Sequence, residues 1–292
     1  MNKTIKKVLA LGLVLVMVLA MASCGSGKNE NSDKKAVLVV SFGSSFIENR
    51  EAAIDATEEV VKKEFKDYDF YRAFTAQTII DIYKDRDKVD IDNVEQAMEK
   101  IYKEGYGEVL VVPTLIFNGA EKDEMLEGLD PFKDKFAKLT ISSPLLTEYE
   151  DYIALTKAMK KEMPKDEGNN AVILMGHGSH HAGNSAYGML DYVFKDEGMK
   201  NVYVGTVEGF PTFDTVKKQL KANNYSKVTL IPAMLVAGDH AHNDMAGDEA
   251  DSWKNLLKAE GYDVDVMLKG LGELPEIQKL FVKHAHAALE AK

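Results

Sequence analysis

The chain has 292 residues, of which 45% are hydrophobic, 28% charged and 9% aromatic, a globular composition with enough apolar material for one large domain or two ordinary ones. Its 36 Lys and Arg stand against 47 Asp and Glu, a formal charge of −11, and that sign excludes nucleic acid as an expected partner because phosphate binding needs clustered cations. The single cysteine excludes a disulfide framework and any Cys-built zinc or iron–sulfur site.

Residues 1–7 carry Lys3, Lys6 and Lys7, and Val8 to Met21 is apolar apart from small residues. A basic start before so short an apolar stretch reads as an export signal rather than a membrane span, which takes roughly 20 apolar residues. The stretch ends Met21-Ala22-Ser23-Cys24, and Cys24 is the lone cysteine. Small residues before a lone Cys resemble the lipobox of bacterial lipoproteins, although Met21 stands where Leu is more usual. That resemblance implies a signal peptide over 1–23, a lipidated Cys24 and an exported, membrane-anchored protein. Residues 24–35 form a polar tether without periodicity. Loss of residues 1–23 removes three lysines and no acid, moving the formal charge from −11 to −14.

From Ala36 onward, short β-branched runs alternate with amphipathic stretches. Ala36 to Gly43 is an apolar run ending in glycine, the pattern of a strand buried on both faces. Residues 51–65 predict a helix, 94–104 another, and Val109 to Pro113 a second strand. The pattern then repeats, with strands at 171–176, 202–205 and 228–232 and helices at 187–194 and 215–222. Such alternation predicts βαβ units and parallel sheets. The two runs also answer each other in sequence: Val109 to Gly119 parallels Val228 to Gly238, with Pro113 and Pro232 in register, and residues 39–45 parallel 174–180. The expected fold is therefore α/β, with two similar Rossmann-like halves, 36–150 and 151–292, and a ligand in the central cleft past the carboxyl ends of the strands.

All seven histidines lie after residue 176. His177 follows the strand 171–176, Glu208 follows 202–205, and His240 follows 228–232 and its loop. Two imidazoles and a carboxylate past the ends of three strands suit a divalent metal and leave a coordination position open. His180, His181 and His242 are pocket candidates around them. His284 and His286 fall on different faces of the last helix and read as surface residues. Asp239, Asp244, Asp248, Glu249 and Asp251 read as a solvated helix start that also draws cations toward the site. Arg72, among aromatics in Tyr71-Arg-Ala-Phe-Thr75, suits a planar, carboxylate-bearing substrate as well as plain packing. No Gly-x-Gly-x-x-Gly or phosphate loop is present, so no nucleotide cofactor is expected.

The same residues carry a resemblance. Gly176-His-Gly-Ser-His-His181, the strand end at Glu208, and Leu235-Val-Ala-Gly-Asp-His-Ala-His-Asn-Asp-Met245 followed by Asp251-Ser-Trp253 resemble the anaerobic sirohydrochlorin cobaltochelatases of the CbiK type, which are class II chelatases. Leu38 to Ser45, Phe70 to Thr75 and Gly270-Leu-Gly-Glu273 extend the likeness from about residue 36 to the C-terminus. It implies two Rossmann-like domains around a tetrapyrrole cleft. It further implies metal ligation by His177, Glu208 and His240, proton removal by His177 and a cleft acid at Glu121; beside it, Glu208 is expected to relay protons and Arg72, His181 and Ser44 to contact substrate. Leu115 stands where the family carries a histidine in its first half. The implied reaction inserts Co2+ into sirohydrochlorin with release of two protons and needs no prosthetic group. The same ligands would also accept Fe2+, Ni2+ or Zn2+. An exported form departs from a cytoplasmic cobalamin pathway, so a second function stays open: a lipoprotein that binds heme, another tetrapyrrole or metal for uptake without turnover. A homo-oligomer is compatible with either.

Overall fold

The computed structural model describes residues 28, 29 and 32–291; residues 1–23, expected from sequence to be a signal peptide, and Cys24 lie outside them. The described strands form two four-stranded sheets. The first contains β1 (Lys35–Ser41), β2 (Asp69–Phe74), β3 (Glu108–Pro113) and β4 (Lys138–Ile141) in the order β2-β1-β3-β4. The second contains β5 (Asn170–Gly176), β6 (Val202–Thr206), β7 (Lys227–Pro232) and β8 (Asp263–Val266) in the order β6-β5-β7-β8. All pairings are parallel. The shared order agrees with the internal sequence match.

The central strands are apolar throughout because both of their faces are covered. Along β1, Ala36, Leu38 and Val40 pack with Met98 and Ile101 on one side. Val37 and Val39 pack on the other with Ile54, Leu155 and Phe281, the period of two that a strand imposes. That second layer also holds Val172 and Leu174 of β5, so the halves share one core. The edge strands β4 (Lys-Leu-Thr-Ile) and β8 (Asp-Val-Asp-Val) go unmarked by an apolar run because an edge strand has less surface to bury.

Local chemistry sets the helix ends. A capping box of Asn93 and Gln96 opens Val94–Lys103, and Thr212 caps Phe213–Lys221. Ser252 caps Trp253–Ala259, and the acidic run before it opens a helical segment of its own at Asp239, as expected from sequence. Residues 241–245 of that run form a π-helical turn. The helix predicted from residue 51 begins earlier, as Ile47–Arg50, a π-turn Glu51–Asp55 and then Ala56–Glu64.

The last helix, Pro275–Glu290, packs on the helix Ala56–Glu64, on β3 and β4, and on the helix Tyr149–Glu162. It thus returns from the second half of the sequence to cover the first. This contact corrects the reading of His284 as a surface residue. His284 is buried, and its Nε2 donates to Asp151 Oδ1 at 2.9 Å. Asp151 is fully buried and accepts from the backbone N–H groups of Thr147 and Glu148, capping the helix Tyr149–Glu162. His286 is exposed and meets Glu64 at 2.7 Å. No described helix is long and apolar enough to cross a membrane.

Removing one member of a buried hydrogen-bonded pair leaves the other desolvated and unmatched, at a cost of about 1–3 kcal/mol. His284→Ala should therefore lower the unfolding free energy by about that amount, read from urea denaturation. His286→Ala, which removes an exposed pair with Glu64 and a ring contact with Phe65, should cost less, about 1 kcal/mol or below.

Candidate active site

Past the carboxyl ends of the strands, the two halves enclose a cleft of about 590 Å³. The segments after β1 (Phe42 to Ser45), β3 (Thr114 to Glu121), β5 (His177 to His181) and β7 (Met234 to His240) line it, together with Glu208. Its walls are mostly apolar, with Ile54, Ile79, Leu115, Ile116, Phe117 and Leu235 contributing. Its polar groups gather on the second-half side.

There His177, Glu208 and His240 converge, each offering a ligand atom within 4.8 Å of the others. The imidazoles stand edge to face, with centroids 4.6 Å apart. His177 Nδ1 lies 2.9 Å from the Gly178 carbonyl oxygen and His240 Nδ1 2.6 Å from Asp244 Oδ2. Both partners only accept, so both Nδ1 atoms donate, and each ring keeps its Nε2 lone pair free. The carboxylate behind His240 fixes its tautomer and ring orientation. A cation held by these groups would keep open positions toward the cleft.

The backbone explains the convergence. Val207 and Glu208 donate their N–H groups to the His177 carbonyl, at 3.1 and 2.8 Å. Gly178 sits at φ +89°, and a Cβ there would lie 2.5 Å from Gly209 N. Beneath, Tyr187 is fully buried and accepts from His177 N–H at 3.2 Å. A Cβ on Gly176 would lie 2.2 Å from its ring. Desolvation pushes the Tyr187 phenol well above its usual range, so it serves as a neutral floor.

The remaining residues expected at the site divide. Glu121, in the first turn of the helix Ala120–Leu129, lines the cleft from the first half. Ser44, His180 and His181 line it too, with His181 Nε2 reaching Asp123 Oδ2 at 3.3 Å. Leu115 forms part of the apolar wall and is almost fully buried. Arg72 is a correction. It lies within β2, its guanidinium is taken up by Glu58 and Asp55, and it does not line the cleft. Of the two expectations for Arg72, packing is the one its partners fit, and Glu58 and Asp55 stand one helix away in sequence. Sequence reasoning also missed Asp244 as the partner of His240. The i, i+4 spacing of the two residues was the available signal.

Burial pushes the Glu121 carboxyl above its usual value of 4.5, with His177 opposing the shift and Glu124 adding to it. The folded chain then holds that proton more tightly than the unfolded chain. Its contribution to stability is present below about 4.5 and is lost as pH rises through the raised value. Glu121→Gln removes the loss. The variant and parent should unfold with equal free energy relative to one another at the acid end, and the variant should gain on the parent toward neutral pH. Parallel stability–pH curves would contradict the burial of this carboxyl.

The family model described as cobalt chelatase (CbiK) matches residues 35–290. The sirohydrochlorin cobaltochelatase of Salmonella typhimurium is 40% identical over 256 residues, covering 88% of this chain and 97% of that one. The sirohydrochlorin cobaltochelatase CbiKC of Nitratidesulfovibrio vulgaris is 30% identical over 263 residues, covering 88% and 92%. Among solved structures, SirB from Bacillus subtilis with Fe3+ superposes with a TM-score of 0.61 at 16% identity, over 88% of this chain and 96% of that one. CbiX, titled the terminal enzyme for siroheme biosynthesis in denitrifying bacteria, does so with a TM-score of 0.52 at 15% identity, over 88% and 100%. These structures share the fold of two parallel sheets around a cleft. The match over residues 35–290 and the 40% identity to a relative of nearly full length place the chain in the cobalt chelatase (CbiK) family.

Proposed function

We propose that the protein inserts Co2+ into sirohydrochlorin, replacing two pyrrole N–H protons, as a chelatase of the anaerobic cobalamin type. The observation that carries this reading is the convergence of His177, Glu208 and His240 on one wall of an apolar cleft shared by both halves. A flat macrocycle suits walls of Ile, Leu and Phe, and its central nitrogens would face the three ligands. Co2+ is a substrate in this reaction, so its ligands must hold it and then give it up. Glu208 is more than half exposed, and two imidazoles with one carboxylate form an open set.

The proton balance uses groups on both sides. Of the four nitrogens that bind the metal, two carry protons and release them, and the other two bind through lone pairs they already hold. His177 Nε2 is free to accept one once it lets go of the metal, and Glu208 passes protons toward solvent. Glu121 faces them from the first half, and its raised affinity for a proton suits it as a second acceptor. Ser44 and His181 line the cleft where substrate side chains would lie. The remaining catalysis is positioning, since metal and macrocycle are held in line inside one cavity. Fe2+, Ni2+ and Zn2+ suit the same donors, and among the divalent ions affinity alone does not select cobalt.

An exported, lipid-anchored form is part of the proposal. The basic start, the short apolar stretch and the small residues before Cys24 support it. Cys24→Ser should abolish labelling of the cells' copy of this protein by radioactive palmitate and move it out of the membrane fraction. Persistent labelling would contradict anchoring through Cys24.

The activity is tested by mixing the chain lacking residues 1–24 with sirohydrochlorin and Co2+ and following the loss of the free-base spectrum. The expected rate is at least about 100-fold above that of the His177→Ala/His240→Ala variant, in line with the loss of a positioned catalytic group. Binding of the tetrapyrrole with no acceleration would overturn the enzyme reading in favour of an uptake protein.

A further inference from the structure

The internal repeat makes the two edges of the cleft equivalents. Gly43 after β1 and Gly178 after β5 share a left-handed φ, +102° and +89°, and Gly119 and Gly238 follow β3 and β7 in register. Counted from these glycines, Phe46 answers His181 and His242 answers Asp123. The structure joins the members crosswise between the halves, Phe46 with His242 at one edge and His181 with Asp123 at the other.

The two contacts differ in kind. His181 and Asp123 meet at 3.3 Å with side chains 36% and 61% exposed, a geometry that contributes little in water. At the other edge the rings of Phe46 and His242 stack with centroids 4.6 Å apart and planes 8° from parallel. His242 Nε2 also donates to Asn49 Oδ1 at 3.2 Å, and His242 N–H to the Gly238 carbonyl at 3.0 Å. Phe46 and Asn49 belong to the first half. His242 belongs to the π-turn Ala241–Met245, which follows His240 directly and carries Asp244.

We propose that His242 is a positioning residue for His240. By stacking on Phe46 and bonding Asn49, it pins the turn that aims both His240 and its Asp244 partner to anchors in the opposite half of the molecule. The weaker His181–Asp123 edge is then the one that yields to a macrocycle, while the ligand geometry is kept. This role rests on the reading of His177, Glu208 and His240 as the cobalt site. It requires no change of charge on His242 and no contact with the substrate.

The test titrates Co2+ into the full chain in detergent, without tetrapyrrole, and follows the visible absorption of the bound ion. His240→Ala serves as the reference for a lost ligand. His242→Ala should weaken cobalt binding about tenfold, the lower end of what losing a group behind a metal ligand costs, and should change the band shape. His242→Phe, which restores the stack, should recover most of the affinity. Asn49→Ala, which deletes only the hydrogen bond, should give a smaller loss and keeps the test open if His242→Ala does not fold. Asp123→Ala should bind cobalt as the parent does. Parent-like affinity in both His242→Ala and Asn49→Ala would overturn the positioning role, as would an equal loss in Asp123→Ala. Cobalt binding that survives His240→Ala would overturn the site itself and this role with it.

Discussion

The functional half of the molecule depends on one main-chain contact, the docking of residues 207–209 against the turn at residues 176–178. Two N–H groups of that segment converge on the His177 carbonyl, and only a residue without a Cβ fits at 178 against Gly209. His177 and Glu208 come from different strands and are far apart in sequence. Their separation is nonetheless fixed by backbone hydrogen bonds rather than by side-chain contacts. Ligands held in this way do not need each other to stay in place, which suits a site that must be stable both with and without its ion.

Duplication supplied two equivalent sets of strand ends, and the two have diverged in labour. Where the second half places His177 before its left-handed glycine, the first places Phe42. Where the second places His240 two residues after Gly238, the first places Glu121 two residues after Gly119. All four line the same cleft. One half thus carries the three candidate metal ligands, and the other presents an apolar wall with a single carboxylate whose burial favours its protonated form. A symmetric cleft with six ligands would bind cations on both faces of a macrocycle. The divergent one gives the two faces different chemistry, which insertion from one side requires.

The sequence made legible whatever depends on local pattern. The strands β1, β3, β5, β6 and β7 announce themselves by apolar runs, and the three metal candidates because each lies just past β5, β6 or β7. β4 and β8 escape because an edge strand can be half polar. His284 was misread because a helix face looks solvent-exposed until one knows what packs on it, and the last helix returns to cover the first sheet. Arg72 was misread for a related reason: Glu58 and Asp55 reach it from a neighbouring helix, and that proximity is tertiary. Asp244 was assigned to solvent with its acidic neighbours, although only its spacing from His240 set it apart from them.

The openness of the triad follows from what a chelatase must do with its ion. A structural metal site closes four ligands around the cation and shields them. Here three donors face a cleft, the carboxylate of Glu208 is 55% exposed, and the cleft side of the site is left to the incoming nitrogens. Tighter ligation would hold the ion more strongly in the ground state without favouring its transfer, and a gain shared equally by ground and transition states does not speed the chemical step. The device that sharpens the site is therefore placed behind the ligands, in Asp244 on the Nδ1 of His240 and in the Gly178 carbonyl on that of His177. These groups orient the imidazole lone pairs without occupying them, so an ion held there would be aimed at the macrocycle and still be free to leave.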